Sequence, residues 1–422
     1  MHVMVLGAGV TGVTTAWYLR ERGFDVSVVD RQPGPALETS FANGGQISIS
    51  HPEPWSSPAA PWIALRALGR RDAPLRLKPG LDPARWRWLA GFLLECLPQR
   101  HHRNAEAIAR LAVHSGACLR TLRDRTGLHY EEQTRGILHL FFERSEYEKA
   151  RAKIAFLARH GIAARLCDAH ECVTLEPALR NSHPPLVGGI HALGDESGNA
   201  MQFTRELARR CAQAGVQFHF ETTVEKVAPD ARGIVRVVAR TADGNAVPLQ
   251  ADAWVVCLGS HGPALLEGAG EHLAIYPVKG YSVTAPVVDP ARAPNVSLTD
   301  ESRRIVCSRL GDTLRVAGTA EICGFDTSVH ADRCRALLDW AESMFPGALD
   351  TAGATPWAGL RPCTPSNVPY IGRSRWEGLW LNTGHGSLGW TLACGSAHCL
   401  AEMMSGRAPP VAGFPFRGAQ PT

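Results

Sequence analysis

Residues 2–30, HVMVLGAGVTGVTTAWYLRERGFDVSVVD, decide the fold. His2 to Leu6 is a short apolar run that reads as a strand. It enters Gly7-Ala8-Gly9-Val10-Thr11-Gly12, after which Val13, Ala16, Trp17 and Leu19 recur at helical spacing until Gly23. A helix from about Val10 to Arg22 is therefore expected, with a glycine stop. A second strand, Val26 to Val29, ends at Asp30. Strand, glycine turn, helix and strand in thirty residues make a βαβ start, which places the N-terminus in a parallel sheet.

Each glycine of this G-x-G-x-x-G has a physical role. Gly7 makes the tight turn, Gly9 lets a pyrophosphate approach the backbone, and Gly12 lets the helix pack closely on the sheet. The phosphates would meet the free N–H groups and positive dipole end of the helix, and Asp30, 18 positions beyond Gly12, is placed to accept from a ribose hydroxyl. Because strand, helix and terminal acid are all present, the turn reads as a dinucleotide site rather than a structural loop. It does not separate FAD from NAD, since both carry an ADP half.

Farther along, Leu379 to Thr383 followed by Gly384-His385-Gly386-Ser387-Leu388-Gly389 has the form of a strand delivering a second glycine-rich helix start, with Thr391 to Met404 as the helix. A helix N-terminus facing the pyrimidine edge of a reduced, anionic flavin would stabilise it by roughly 0.3–2 kcal/mol. Spacing alone also fits a tight turn at an ordinary core helix. A nicotinamide-dependent dehydrogenase would use Gly7 to Gly12 but leave this second block without a ligand. In Trp357-Ala358-Gly359-Leu360-Arg361-Pro362, an arginine stands among apolar neighbours, where its planar fork suits a substrate carboxylate or a structural salt bridge. Tyr276, Lys279 and Tyr281 could add polar contacts to the same ligand, and a strand with one polar face has the same pattern.

The remaining segments suggest a second, α+β domain. Helical patterns at 104–126 and 145–160 flank a strand-like run at 137–142, and strands recur at 277–284, 305–308 and 314–318. An amphipathic helix at 203–214 precedes runs at 216–220 and 253–258 that would rejoin the N-terminal sheet. The expected architecture is α/β: a Rossmann-type dinucleotide-binding domain (1–85, 200–270, 355–422), an FAD-binding domain by the family resemblance given below, interleaved with a substrate-binding domain (86–199, 271–354).

Composition excludes several classes. A net charge of +4 over 422 residues is far from the basic excess of nucleic-acid binding. Twelve cysteines contain no C-x-x-C pair and read as buried free thiols in a reducing cytoplasm; His101 and His102 sit among arginines, so no metal is expected. The glycine turn begins too early for a signal peptide, which implies a cytoplasmic location. No G-x-S-x-G elbow or Walker loop is present. From Trp62 to Arg87, Trp62 and Trp86, with Trp88 just beyond, accompany seven basic residues (Arg66, Arg70, Arg71, Arg76, Lys78, Arg85, Arg87) against two acids (Asp72, Asp82). This suits either peripheral contact at the inner face of the cell membrane or a solvated helical face with core tryptophans.

Several blocks together carry a family resemblance: GAGVTGVTTAWYLRERGFDVSVVDR (7–31), ETSFANGGQIS (38–48), YPVKGYSVT (276–284), GLRPCTPSNVPYIG (359–372) and LNTGHGSLGWTLACGSAH (381–398). With EPAL (176–179) and AEICGF (320–325), they resemble in order the bacterial D-amino-acid dehydrogenase small subunit, within the D-amino-acid oxidase and glycine oxidase superfamily. The resemblance implies FAD and oxidation of a D-amino acid to its imino acid, by hydride transfer to flavin N5, followed by hydrolysis to a 2-oxo acid and ammonia. Electrons would pass to a quinone or other acceptor. It also implies that Gly7, Ala8, Gly9, Val10, Thr11, Gly12, Asp30 and Arg31 hold the ADP half, and that Ser40, Asn43, Gly44, Gly45 and Gln46 lie near the pyrophosphate and flavin. Val224 and Gly259 would line the adenosine side, while Gly384, Gly386, Ser387 and Leu388 would face the flavin ring. Arg361 would anchor the carboxylate, with Tyr281 and His385 as further site candidates.

The chain departs from that family at His51-Pro52-Glu53, at 194–199 (GDESGN) and at Ser366-Asn367, which leaves the side-chain preference open. Alternatives are an oxygen-using glycine or sarcosine oxidase, a dehydrogenase for cyclic or N-substituted D-amino acids, and a non-catalytic flavin redox sensor.

Overall fold

The computed structural model describes residues 1–67, 75–78, 80–230 and 235–417. Its first strand, β1 (His2–Leu6), pairs in parallel with β2 (Asp25–Val29), and between them α1 (Val10–Glu21) crosses one face of the sheet. Chain order and spatial order then part company. Ala253–Val256 pairs with β1 on its other side, Leu379–Thr383 follows it, and Gln217–His219 closes the far edge beyond β2. The six-stranded sheet is completed by Tyr370–Arg373, its one antiparallel member. The two late segments expected to rejoin the N-terminal sheet do so.

These strands are apolar on both faces because both faces are covered. On one side α1, Ala200–Gln213 and Gly389–Met404 bury Val3, Val5, Val26 and Val28. On the other, a three-stranded antiparallel sheet (Thr223–Pro229, Val235–Arg240, Ala246–Leu249) packs on Met4, Leu6, Trp254 and Val256. Each such buried side chain stabilises the fold by roughly 1.5–3 kcal/mol.

The second layer is a nine-stranded sheet. Thr355–Cys363 forms one edge, followed by Tyr276–Pro286, Thr313–Ile322, Ile305–Leu310, Ser297–Asp300, Ile137–Phe141, Gly188–Ala192 and Ala164–Asp168; Leu75–Leu77 adds to Thr313–Ile322. Helix Ala331–Met344 covers one face through Leu337, Trp340 and Ala341. The other face is the floor of the cavity described below.

Pairing assigns two segments differently from their place in the chain. Thr355–Cys363, grouped by sequence with the N-terminal unit, hydrogen-bonds along Tyr276–Thr284 and so belongs to the large sheet. Helix Pro98–Thr126, grouped with the other unit, buries Ile108, Leu111 and Leu119 in the core shared with α1 and Gly389–Met404. Chain proximity gave no sign of either partner. The segment after His51 contains helices Ala60–Ala67 and Pro83–Glu95 and the three-residue strand Leu75–Leu77, which is too short to show a period.

Candidate active site

A cavity of about 1350 Å3 runs between the two sheets. One end is the glycine turn. Gly7 has φ +107°, and a Cβ there would stand 2.7 Å from the Cys257 carbonyl oxygen. At Gly12 a Cβ would stand 1.8 Å from the Gly7 carbonyl oxygen, so only glycine lets α1 fold this tightly against the turn. Gly9 differs: its nearest neighbour would be Ser40 Oγ at 3.5 Å, and it lines the open cavity. The Val10 amide donates to Ser40 Oγ (3.0 Å), so the serine of the following loop orders the helix start.

Asp30 closes this end. Its carboxylate accepts from the Ala8 amide (2.6 Å) and the Gln32 amide (2.8 Å), while burial raises its pKa. Arg31 reaches Glu38 Oε1 (2.5 Å) and His261 Nε2 (3.1 Å) at the cavity rim. Ser40, Asn43, Gly44, Gly45, Gln46, Val224 and Gly259 all line the same space. Gly44 lies against Val306 of the large sheet, where a Cβ would come within 2.6 Å of Cγ2, and Gln46 donates to Ser297 Oγ at 2.9 Å. The loop after α1 is thereby fixed to the second layer.

Gly384 (φ +84°), Gly386 (φ +57°), Ser387 and Leu388 form the wall at the start of Gly389–Met404. His385 also touches the cavity, but its ring is buried, Nε2 meets Ser396 Oγ at 3.1 Å, and burial lowers its pKa to about 3. It is a neutral ring facing the helix core. Of the sequence candidates, only Ala8 and Gly12 shape the turn without lining the cavity.

Arg361 stands on the edge strand of the large sheet. Its guanidinium donates to the Thr319 carbonyl (3.0 Å) and lies over the Trp55 ring, 5.7 Å from the centroid. Burial lowers its pKa, and among the described residues no carboxylate pairs with it. Below it the floor is formed by Gly359 opposite Gly280, by Gly318 and Ala317 on the next strand, and by Val306, opposite Ala317, and Thr299, opposite Val306, on the two strands after that. The neighbouring polar candidates are not gathered here. Tyr281 touches the cavity, yet its hydroxyl donates to Glu321 Oε2 (2.9 Å), and fully buried Lys279 pairs with Glu321 (3.5 Å) and Asp326 (3.4 Å). Tyr276 donates to Asp82 Oδ2 at 2.8 Å. Lys279 and Tyr281, two positions apart, share the face opposite that of Gly280, on which the Arg361 guanidinium lies; pairing with Thr355–Cys363 is unbroken there, and the extra residue of the adjoining bulge belongs to the partner strand at 319–320.

Residues 2–403 match the FAD dependent oxidoreductase family. The chain belongs to that family. A D-amino acid dehydrogenase of Dechloromonas aromatica (strain RCB) is 49% identical over 416 residues, covering 99% of each chain, and one of Paramagnetospirillum magneticum (strain ATCC 700264 / AMB-1) is 46% identical, covering 96% of each. Among solved structures, glycine oxidase from Geobacillus kaustophilus superposes with a TM-score of 0.73 over 99% of both chains at 21% identity, which establishes the likeness of fold.

The cavity fits the cofactor of this family. Ser260 Oγ and Asn382 Oδ1, both on lining residues, are buried without a hydrogen-bond partner. Such atoms are rare in a folded chain unless a ligand or water satisfies them. Together with the open cradle at Gly9, they suit a polar dinucleotide. Neither residue stood out in the sequence, because a lone serine or asparagine carries no motif.

All twelve cysteines are free thiols; Cys118 and Cys323 are half-buried and the others buried.

Proposed function

We propose that this protein is a dehydrogenase that oxidises D-amino acids to imino acids, which hydrolyse to 2-oxo acids and ammonia, with electrons passed to a quinone or another acceptor. The observation that carries the reading is Arg361: a half-buried guanidinium with no carboxylate partner among the described residues, in the same cavity as the dinucleotide turn. A buried cation without a counter-ion is costly, and a substrate carboxylate would supply one in a two-point grip. The names of the close relatives, D-amino acid dehydrogenase, support the substrate class.

Bound FAD would supply the hydride acceptor. Gly7 to Gly12 and Asp30 would hold the ADP half, Ser40 and Asn43 to Gln46 would lie near the pyrophosphate and flavin, and Val224 and Gly259 would line the adenosine side. Gly384, Gly386, Ser387 and Leu388 would face the ring. Arg361, fixed by the Thr319 carbonyl and the Trp55 face, would orient the substrate; the α C–H bond leaves as hydride while the nitrogen lone pair forms C=N and the N–H proton goes to solvent. Positioning then carries most of the catalysis. Tyr281 and His385, committed to Glu321 and Ser396, would support the site rather than transfer a proton.

Anaerobic mixing with D- and L-amino acids, followed at the flavin absorption band, tests this. Bleaching by D-amino acids alone is expected, and bleaching by none would leave a flavin-binding protein without this activity.

A membrane-surface position suits an acceptor dissolved in lipid. No described helix is long and apolar enough to cross a membrane. Trp62, Ile63, Leu65, Leu81 and Trp86 are nevertheless exposed, close in sequence to Arg66, Lys78 and Arg87. Arg70, Arg71 and Asp72 of the same stretch lie outside the described residues. Sedimentation with anionic vesicles at low and moderate salt tests this contact; absence from the pellet at both removes it.

A further inference from the structure

One wall of the cavity carries charged side chains for which carboxylate binding and hydride loss have no use. His51 and Glu53 come from the loop that follows the glycine turn, Lys153 from helix Arg144–Arg159, and Glu301 from the end of strand Ser297–Asp300; all four line the cavity. Lys153 Nζ stands 3.3 Å from Glu53 Oε2, 3.4 Å from Glu301 Oε1 and 3.4 Å from His51 Nδ1. Its three donors are thus matched by three acceptors. Glu301 is held further by His139 Nδ1 (2.9 Å) and Arg304 (3.1 Å), and behind His139 stands Ser50 Oγ (3.0 Å), bonded in turn to Asp195 Oδ2 (2.5 Å). Two of the three groups that together have the look of a metal site, His51 Nδ1 and Glu301 Oε1, already face the Lys153 ammonium, each at 3.4 Å.

Counting charge shows what is missing. Glu53 and Glu301 are two carboxylates against one ammonium, with His51 neutral because burial and then Lys153 lower its pKa to about 4. Glu146 and Lys149, which also line the cavity, offset each other. Arg304, exposed on its outer side, answers the other oxygen of Glu301 at 3.1 Å, so Glu301 has two cationic partners. Glu53 is the less satisfied of the two carboxylates: it shares Lys153 with Glu301, among the described residues only its Oε2 is engaged, and the side chain is 34% exposed in the cavity wall.

The location relative to Arg361 follows from the chain. Trp55 lies under the Arg361 guanidinium, and Glu53 is two residues away along an irregular stretch that lines the cavity. Two residues span at most about 7 Å. A substrate held by its carboxylate at Arg361 and extended along this stretch of wall therefore comes within reach of Glu53.

We propose that Glu53 receives the cationic end of a long basic side chain, so that the preferred substrates are D-amino acids bearing a side-chain ammonium or guanidinium. This rests on the D-amino acid reading above. The test is anaerobic flavin reduction of the holoenzyme by D-lysine, D-arginine, D-norleucine, D-glutamate and D-alanine, in wild type and in Glu53→Gln. In wild type, kcat/KM for D-lysine should exceed that for uncharged D-norleucine, which has the same four side-chain carbons and lacks only the terminal nitrogen, by about tenfold or more, with D-glutamate last. In Glu53→Gln the D-lysine to D-norleucine ratio should collapse toward one. Equal wild-type rates for D-lysine and D-norleucine overturn the proposal, as does a ratio that survives the substitution. If Glu53→Gln fails to fold, the wild-type ratio decides alone. Reduction by D-alanine and D-norleucine but not by D-lysine removes this inference and leaves the dehydrogenase reading standing; reduction by none of them removes both.

Discussion

The Arg361 guanidinium lies flat on the Cα of Gly280: a methyl group at residue 280 would sit 2.3 Å from Cζ and from both terminal nitrogens. Gly280 does not have a positive φ, so alanine would bring no backbone strain there. What it would do is push the fork off its position. Gly280→Ala should therefore keep its flavin and lose at least about tenfold in kcat/KM for amino acids, since a misplaced anchor forfeits orientation. Unchanged turnover would show that the guanidinium does not depend on this contact.

Removing the anchor itself should cost more. Truncating one member of a buried charge pair costs roughly 2–5 kcal/mol, about 30-fold to several thousand-fold in kcat/KM. Arg361→Ala should stay yellow and lose turnover, and Arg361→Lys should fall between it and wild type, keeping charge but not fork geometry. Comparison of a free amino acid with its amide separates recognition from support. Equal loss on both substrates means that Arg361 does not read the carboxylate.

The βαβ start was legible because its signals are local: an apolar run, three glycines at fixed spacing, a helical period and Asp30. Both glycine blocks and Arg361 were legible for the same reason and now line one cavity. Less was visible where a role depends on which way a strand faces. Alternation puts Lys279 and Tyr281 together on the face away from Gly280 and toward Glu321, and nothing in Tyr-Pro-Val-Lys-Gly-Tyr-Ser tells which of the two faces lines the cavity. The Lys153 cluster was hidden more deeply, since Glu53, Lys153 and Glu301 are separated by 100 and 148 positions and meet only when helix and sheet pack. Only the unusual His51-Pro52-Glu53 pointed toward it.

Stability should fall on acidification from pH 7 to pH 4.5. Burial lowers His385 to about 3, and burial with Lys153 lowers His51 to about 4, so each stays neutral in the fold while the unfolded chain takes up protons near pH 6.5. A depressed folded pKa gives stability that is present above the unfolded value and lost as pH falls. Glu301 and Glu53, lowered by Lys153 against the opposing effect of burial, act in the same sense at lower pH. Asp195 opposes them: burial raises it to about 6, so its contribution declines as pH rises from about 4 to 6. Two histidines against one carboxyl leave a net loss on the order of 3 kcal/mol at pH 4.5. Urea midpoints at the two pH values check the sign; an equal or higher midpoint at pH 4.5 contradicts it.

Gly9 and Gly12 belong to one motif and should fail in different ways. At Gly12 an added Cβ overlaps the Gly7 carbonyl oxygen at 1.8 Å, and backbone on both sides leaves nothing flexible to yield. Gly12→Ala should cost about 3 kcal/mol or more and lose flavin because the turn itself opens. At Gly9 the nearest atom is Ser40 Oγ at 3.5 Å, an ordinary contact, and φ is −70°, so the chain tolerates a side chain there. What the side chain occupies is cavity, where the close approach of a pyrophosphate needs bare backbone. Gly9→Val should accordingly give a folded, colourless protein with a native far-UV spectrum, whereas Gly12→Ala should be colourless and unstable. Full flavin occupancy in Gly9→Val would remove the N-terminal turn as the cofactor site, while a Gly12→Ala variant as stable as wild type would mean that α1 does not depend on its contact with Gly7.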